Sequence, residues 1–206
     1  AELTDAYEAT AGAFTSGYQA TLDALTDAGY KAEEIANLMR DTFSAAARET
    51  VAALVNLGYD IQAGAEALAK SFLLTAEETA QLLKDGFNAT VDVVATALTD
   101  LYDLTAIEMA NVLKDVEFAV SEVATALQDT YGLVAEEVAG LLDDVGYEFE
   151  QIAGALTDGL GVLVNDLNDA LSQVAHTAEQ FAASMRAFYD LAAATAADLL
   201  RQAGYL

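Results

Sequence analysis

The chain has no cysteine, no proline, no tryptophan and a single histidine in 206 residues. Without cysteine there are no disulfides, no thiolate nucleophiles and no thiolate metal ligands, and the redox state of the compartment leaves no mark. Without proline no helix is kinked by a ring in its interior, and no Pro-, Gly- or Ser-rich run is long enough to act as a linker. Basic residues are nearly as scarce. Eight Lys and Arg stand against 34 Asp and Glu, a formal charge of -26, which argues against nucleic acid or an anionic membrane as partner. No apolar run has transmembrane length, so membrane insertion is not expected. The chain opens at Ala1 with no initiator methionine and no basic leader, which fits a processed secreted protein and a trimmed expression product equally well; an extracellular or cell-surface position is the expectation.

The same scarcities remove most chemistry. Histidine-based zinc sites and a Ser-His-Asp arrangement would need His176, the sole histidine, which instead falls on a structural position of the repeat described below. Gly154, Gly159 and Gly161 follow no strand and lack the lysine of a phosphate loop, so they read as helix-end or close-packing glycines. Adjacent acids such as Glu33/Glu34, Glu77/Glu78, Glu136/Glu137 and Asp143/Asp144 do not face one another on a helix and make poor acid–base dyads. No twelve-residue calcium loop is present. The surface carboxylates are expected to bind divalent cations weakly, as a distributed effect. No catalytic, cofactor-binding or metal-ligating residue is assigned, and the chain does not read as an enzyme.

What the chain has is apolar content, 54% of its residues, arranged with a period. Phe14, Phe43, Phe72, Tyr102, Tyr131, Leu160 and Tyr189 recur at steps of 29 or 30. A second series, Tyr30, Tyr59, Phe87, Phe118, Tyr147, His176 and Tyr205, recurs at steps of 28 to 31. A period of this length that returns a large side chain to one slot marks a stacked array. Gly29, Gly58, Gly86, Gly146 and Gly204 each precede the second-series aromatic, and five residues before it lies Leu25, Leu54, Leu82, Leu113, Leu142, Leu171 or Leu200. That is the pattern of a left-handed glycine cap whose next residue packs back on the helix. Glu117 and Ala175 replace the glycine in two units, where the cap is less well specified. TAEE at Thr75–Glu78 and TAIE at Thr105–Glu108 match the capping box, and Leu104 with Met109, or Leu133 with Val138, stands at the positions of a hydrophobic staple.

Departures from the period carry their own expectations. Gly64 stands where a bulky residue would be and suggests close approach of a neighbouring helix. Phe87 and Tyr102 lie 15 residues apart rather than 13, which requires a longer turn or a bulge. Residues 163–188 contain no glycine, so two helices there are open to fusion. Val51, Leu54 and Val55 are expected to face inward, and Asn165, Asp166, Asn168 and Asp169 to form a polar strip. Tyr7 and Tyr18 lie outside both series and are expected to cover an end of the core. Asp143 and Asp144 sit near a helix C-terminus, where acid needs a cation or solvent to relieve it.

These patterns predict an all-α protein. The expected form is an array of about fourteen short antiparallel helices, an α-solenoid or curled helical-repeat bundle, in one domain over 1–206 with seven units of about 29 residues. A long three- or four-helix bundle is the alternative, disfavoured by the phased glycine-aromatic stops. The wording GYKAEEIA at Gly29–Ala36 resembles short-helix repeats of large bacterial and archaeal surface proteins, through capping and packing residues that transfer no binding residue. The expected function is a non-enzymatic structural or surface protein, a repeat spacer or self-assembling filament subunit. The final Gly204-Tyr205 keeps the register of the internal caps, as expected either of a piece of a longer array or of ends that meet copies of themselves, and the expected partners are copies of itself end to end. The other reading is an acidic helical scaffold that binds a basic protein partner.

Overall fold

The computed structural model describes residues 18–172, 174, 177–189 and 192–205. Among the described residues the chain is all-α, with thirteen α-helices, one π-helical turn and no strand. Phe14, Tyr7, Ala175, His176 and their expected roles lie outside the described residues. The chain forms two compact units, Ala1–Asp103 and Leu104–Leu206. The first holds α1 (Gln19–Asp27), α2 (Ala32–Asp41), α3 (Ala47–Asn56), α4 (Ile61–Phe72), α5 (Ala76–Gly86) and α6 (Val91–Tyr102). The second holds α7 (Ala106–Asp115), α8 (Val120–Tyr131), α9 (Ala135–Asp144), α10 (Phe149–Gly154) with its π turn Ala155–Gly159, α11 (Val164–Ser172), α12 (Ala178–Tyr189) and α13 (Ala193–Gln202).

The helices stop where the glycine-aromatic pairs stop them. Gly29, Gly58, Gly146 and Gly204 have φ of 86°, 78°, 79° and 83°. The next amide in each case, from Tyr30, Tyr59, Tyr147 or Tyr205, donates to the carbonyl of Leu25, Leu54, Leu142 or Leu200 at 2.9–3.1 Å. This is the six-to-one bond of a Schellman cap. Glu117 keeps the same closure without glycine: its φ is 59° and Phe118 N–H donates to Leu113 O at 3.1 Å.

Gly86 departs from the expected cap. It remains inside α5, the left-handed residue is Asn88 at φ 52°, and the amide that returns is Ala89 to Leu83 O at 3.1 Å. The longer spacing from Phe87 to Tyr102 is absorbed at this helix end. Two other helices close the same way. Ala45 N–H reaches Met39 O at 2.9 Å past Ser44 at φ 55°, and Val162 N–H reaches Leu156 O at 3.0 Å past Gly161 at φ 65°. The wider loop turns the Phe87 ring onto Gly64 of α4, where an added Cβ would lie 2.3 Å from the ring's Cζ. An aromatic ring, rather than a helix backbone, occupies the space a Cβ would take, so a larger residue here would have to displace Phe87.

Helix starts are fixed by a recurring acid. The N3 carboxylates of Glu34, Glu78, Glu108, Glu122 and Glu137 each accept the N-cap amide three residues earlier, at 2.9–3.0 Å. Gln151 and Gln180 do so through their amide oxygens. Half of the capping box thus persists where the N-cap is Ala119 or Val134, which has no oxygen to return the bond. The Thr177 and Gln180 box starts α12, which is why residues 163–188 form two helices and not one.

The core is built from leucines and alanines. Leu54, Leu113, Leu142 and Leu171 are buried, and in α5 Leu83 is buried where Leu82 is only partly so, a shift of one residue that follows from the wider cap. Each such leucine contributes about 1.5–3 kcal/mol of burial. Ala53, Ala67, Ala97 and Ala126 are also buried and let helices approach closely. In the first unit α2 packs on α3 and α4, and α4 on α5 and α6; in the second α9 packs on α7, α8, α10 and α11, and α10 on α8 and α12. Two expectations fail here. Val55 is 40% exposed because it lies beyond the arc of α3 that buries Thr50, Val51, Ala53 and Leu54, and Asn168 is 2% exposed, inside rather than on a polar strip, because it stands three residues before buried Leu171 on the inward face of α11, in the place Val51 takes in α3. Tyr18 stacks on Phe43 with ring centroids 3.9 Å apart, at an edge of the first unit's core.

Candidate functional site

The helix ends carry a second layer of bonding that joins residues one period apart. Tyr102 Oη donates to Leu74 O at 3.0 Å and lies 2.6 Å from the buried Thr79 hydroxyl. Tyr131 Oη donates to Leu104 O at 2.8 Å, and Tyr59 Oη to Tyr30 O at 2.5 Å. Burial raises the Tyr102 phenol above its ordinary range, the Thr79 contact opposes this, and the Glu78 charge adds to the rise. Two bases act across the same interval. Arg40, on the last turn of α2, donates to Ser71 O at the end of α4. Lys114, on the last turn of α7, donates to Val145 O and, at 3.1 Å, to Gly146 O at the end of α9. Its Nζ lies 4.9 Å from the centre of the Tyr147 ring. A cation at a helix C-terminus offsets the negative end of the helix dipole, and Lys114 does this at the end of α9, where Asp143 and Asp144 lie exposed to solvent.

The two members of a Glu-Glu pair do different things. Glu34, Glu78 and Glu137 are the N3 caps already described. Glu77 accepts from the Thr75 hydroxyl at 3.0 Å, while Glu33 and Glu136 line surface grooves. Among the described residues no group of three or more His, Cys, Asp or Glu is close enough to hold a metal ion, and no helix is long and apolar enough to cross a membrane.

Two grooves are the candidates for binding. In the first unit Tyr30, Lys31, Glu33, Tyr59 and Glu66 surround one of mixed charge. In the second, Val134, Glu136, Leu160, Leu163, Asp166 and Asp169 line a groove of about 390 Å³ at the starts of α9 and α11. Its side chains arrive through backbone geometry. Val134 is the N-cap of α9, with φ -84° and ψ 164°, and Gly161 at φ 65° turns the chain so that Leu163 immediately precedes α11.

Val134 is 53% exposed and Leu163 is 70% exposed. Neither was singled out by the sequence patterns, although the signal was there. The residues before α5, α7, α9 and α11 are Thr75, Thr105, Val134 and Leu163, at steps of 30, 29 and 29. In the last two, aliphatic side chains stand where helix starts favour an oxygen. The arrangement offers an apolar floor with carboxylates around it and no base among its lining residues. Its three carboxylates stand beside apolar surface, an arrangement suited to apolar side chains that arrive with positive charge. Comparison with protein-family models and with curated proteins gave no match, so the functional reading rests on this geometry.

Proposed function

We propose that the chain is a non-enzymatic structural protein, a helical-repeat spacer whose units stack as an α-solenoid and whose copies associate end to end once salt or divalent cations screen the acid. The observation that carries this reading is the bonding at a distance of one period: Tyr59, Tyr102 and Tyr131 each donate to a loop carbonyl 27 to 29 residues earlier. Lys114 and Arg40 supply the reverse link, each capping a helix that begins 20 or more residues further on. A unit bonded in this way completes the helix ends of its neighbour, which is how nearest-neighbour terms hold a stack of short helices together. Contacts of α2 with α3 and α4, of α4 with α5 and α6, and of α8 with α9 and α10 fit the same arrangement. The period also passes from Tyr102 to Tyr131 at its ordinary step of 29, which supports one repeat domain over 1–206. An extracellular or cell-surface position belongs to this reading. Sedimentation velocity across a protein and NaCl series, with electron microscopy of any large species, tests it. Growth with both variables is expected, and a strict monomer in every condition removes end-to-end assembly.

A second reading, an acidic scaffold for a basic protein partner, is favoured by the acid-rimmed apolar groove at Val134 and Leu163.

A further inference from the structure

We propose that the groove at the starts of α9 and α11 docks a basic amphipathic protein segment, one that presents aliphatic anchors to Val134, Leu160 and Leu163 and lysine or arginine to Glu136, Asp166 and Asp169. This rests on the acidic-scaffold reading and names the site and the partner's chemistry.

The argument starts from a side chain that does nothing for its own helix. At the N-cap, Val134 accepts no amide; the carbonyl of Val134 takes the Val138 N–H at 3.0 Å, and its own N–H is satisfied by Glu137. Leu163 has the same relation to α11, its carbonyl accepting from Leu167 N–H at 2.8 Å. Thr75, in the equivalent place before α5, accepts the Glu78 amide through its hydroxyl at 3.2 Å. The two aliphatic side chains therefore give the helix starts less than threonine gives and leave apolar surface in water. Apolar surface in a concave setting with a polar rim is the composition of a docking site.

Charge selects the occupant. The lining holds three carboxylates and no cationic side chain. They belong to no group of three acids within metal-binding reach among the described residues, so they suit separate cationic groups spread along a partner better than one ion. A second copy of this chain would bring 34 acids and only 8 bases, and its approach is opposed by charge at low ionic strength. A basic segment with apolar residues at i and i+4 meets both needs, in the helix-in-groove mode of recognition.

The test uses the full chain and fluorescence anisotropy of three short labelled peptides: leucines at i and i+4 in a lysine-rich helix, the same peptide with serine for leucine, and the same with glutamate for lysine. The leucine–lysine peptide is expected to bind at least about ten-fold more tightly than the serine–lysine peptide, the difference that burial of an aliphatic anchor supplies. The glutamate peptide is expected not to bind. The double variant Val134→Thr/Leu163→Ser should erase the leucine preference, and Asp166→Asn/Asp169→Asn should weaken both lysine peptides several-fold. Circular dichroism and urea midpoints establish that each variant is folded. Equal binding of the leucine and serine peptides to the unmodified chain would overturn the groove and leave the acidic-scaffold reading standing; no binding of either would overturn both. Self-association that disappears in Val134→Thr/Leu163→Ser, with peptide binding unchanged, would assign the groove to a second copy and overturn the basic partner.

Discussion

Tyr102 shows how one atom can join two helical repeats. Its hydroxyl satisfies the buried Thr79 side chain and reaches the Leu74 carbonyl. Tyr102→Phe keeps the ring and removes both bonds, leaving a buried hydroxyl without its partner, and is expected to cost about 1–2 kcal/mol in urea unfolding. A loss below the error of the measurement would show that water replaces the phenol. A different sign of pH dependence belongs to Glu108, whose carboxyl is held below its ordinary value of 4.5 first by the Thr105 hydroxyl and then by the Thr105 amide. A depressed folded pKa means that its contribution is present above about pH 4.5 and is lost as pH falls through the lowered value. Glu108→Gln should therefore lower the urea midpoint at pH 7 more than at pH 3. Equal effects at both values would remove the charged cap as the cause. TAIE pointed to this pair from the sequence alone. Nothing local pointed to Tyr102 with Thr79, because the two are 23 residues apart and meet only when α5 and α6 pack.

At the scale of the element, glycine before tyrosine was legible because left-handed backbone is cheap only for glycine, and four such caps formed at the expected leucines. The wide closures at Ser44 and Asn88 were not legible, since each places a non-glycine residue at positive φ and relies on tertiary contacts to hold it there. Phe87 over Gly64 is one of those contacts. The π turn at Ala155–Gly159 has the same kind of origin: an added Cβ on Gly159 would lie 2.7 Å from Ser121 O, and the packing of α8 on this turn is what its widening accommodates. The groove was hidden for the opposite reason. Its aliphatic residues sit in slots that periodicity assigns to helix starts, where hydrophobicity reads as core until exposure is known. Val134→Thr tests that account by itself. An N-cap threonine accepts the N3 amide that valine cannot, so the variant is expected to raise stability by about 1 kcal/mol, read as an increase in the urea midpoint at unchanged slope. A decrease would mean that Val134 packs usefully in the free chain and is no spare surface.

For the whole molecule the deciding quantity is charge. With thirty-four acids against 8 bases, most carboxylates have no base to pair with, and their mutual repulsion weakens as the screening length falls from about 10 Å at 0.1 M salt to about 3 Å at 1 M. Salt also weakens the attractive links. Exposed pairs such as Arg201 with Asp198 are worth only about 0.2–1 kcal/mol each, and few bases are available to form them. Repulsion therefore wins, and the thermal midpoint is expected to rise steadily with NaCl in scanning calorimetry; a fall would put the local pairs and dipole caps in command. Calcium and magnesium sharpen the point. With no acid cluster of metal-binding geometry among the described residues, the two ions should act alike at matched ionic strength and without saturation, because each only condenses on a diffuse negative surface. A saturable shift produced by calcium and not by magnesium would require six to eight oxygens converging on one point, and would replace screening by a built site as the source of the cation's effect.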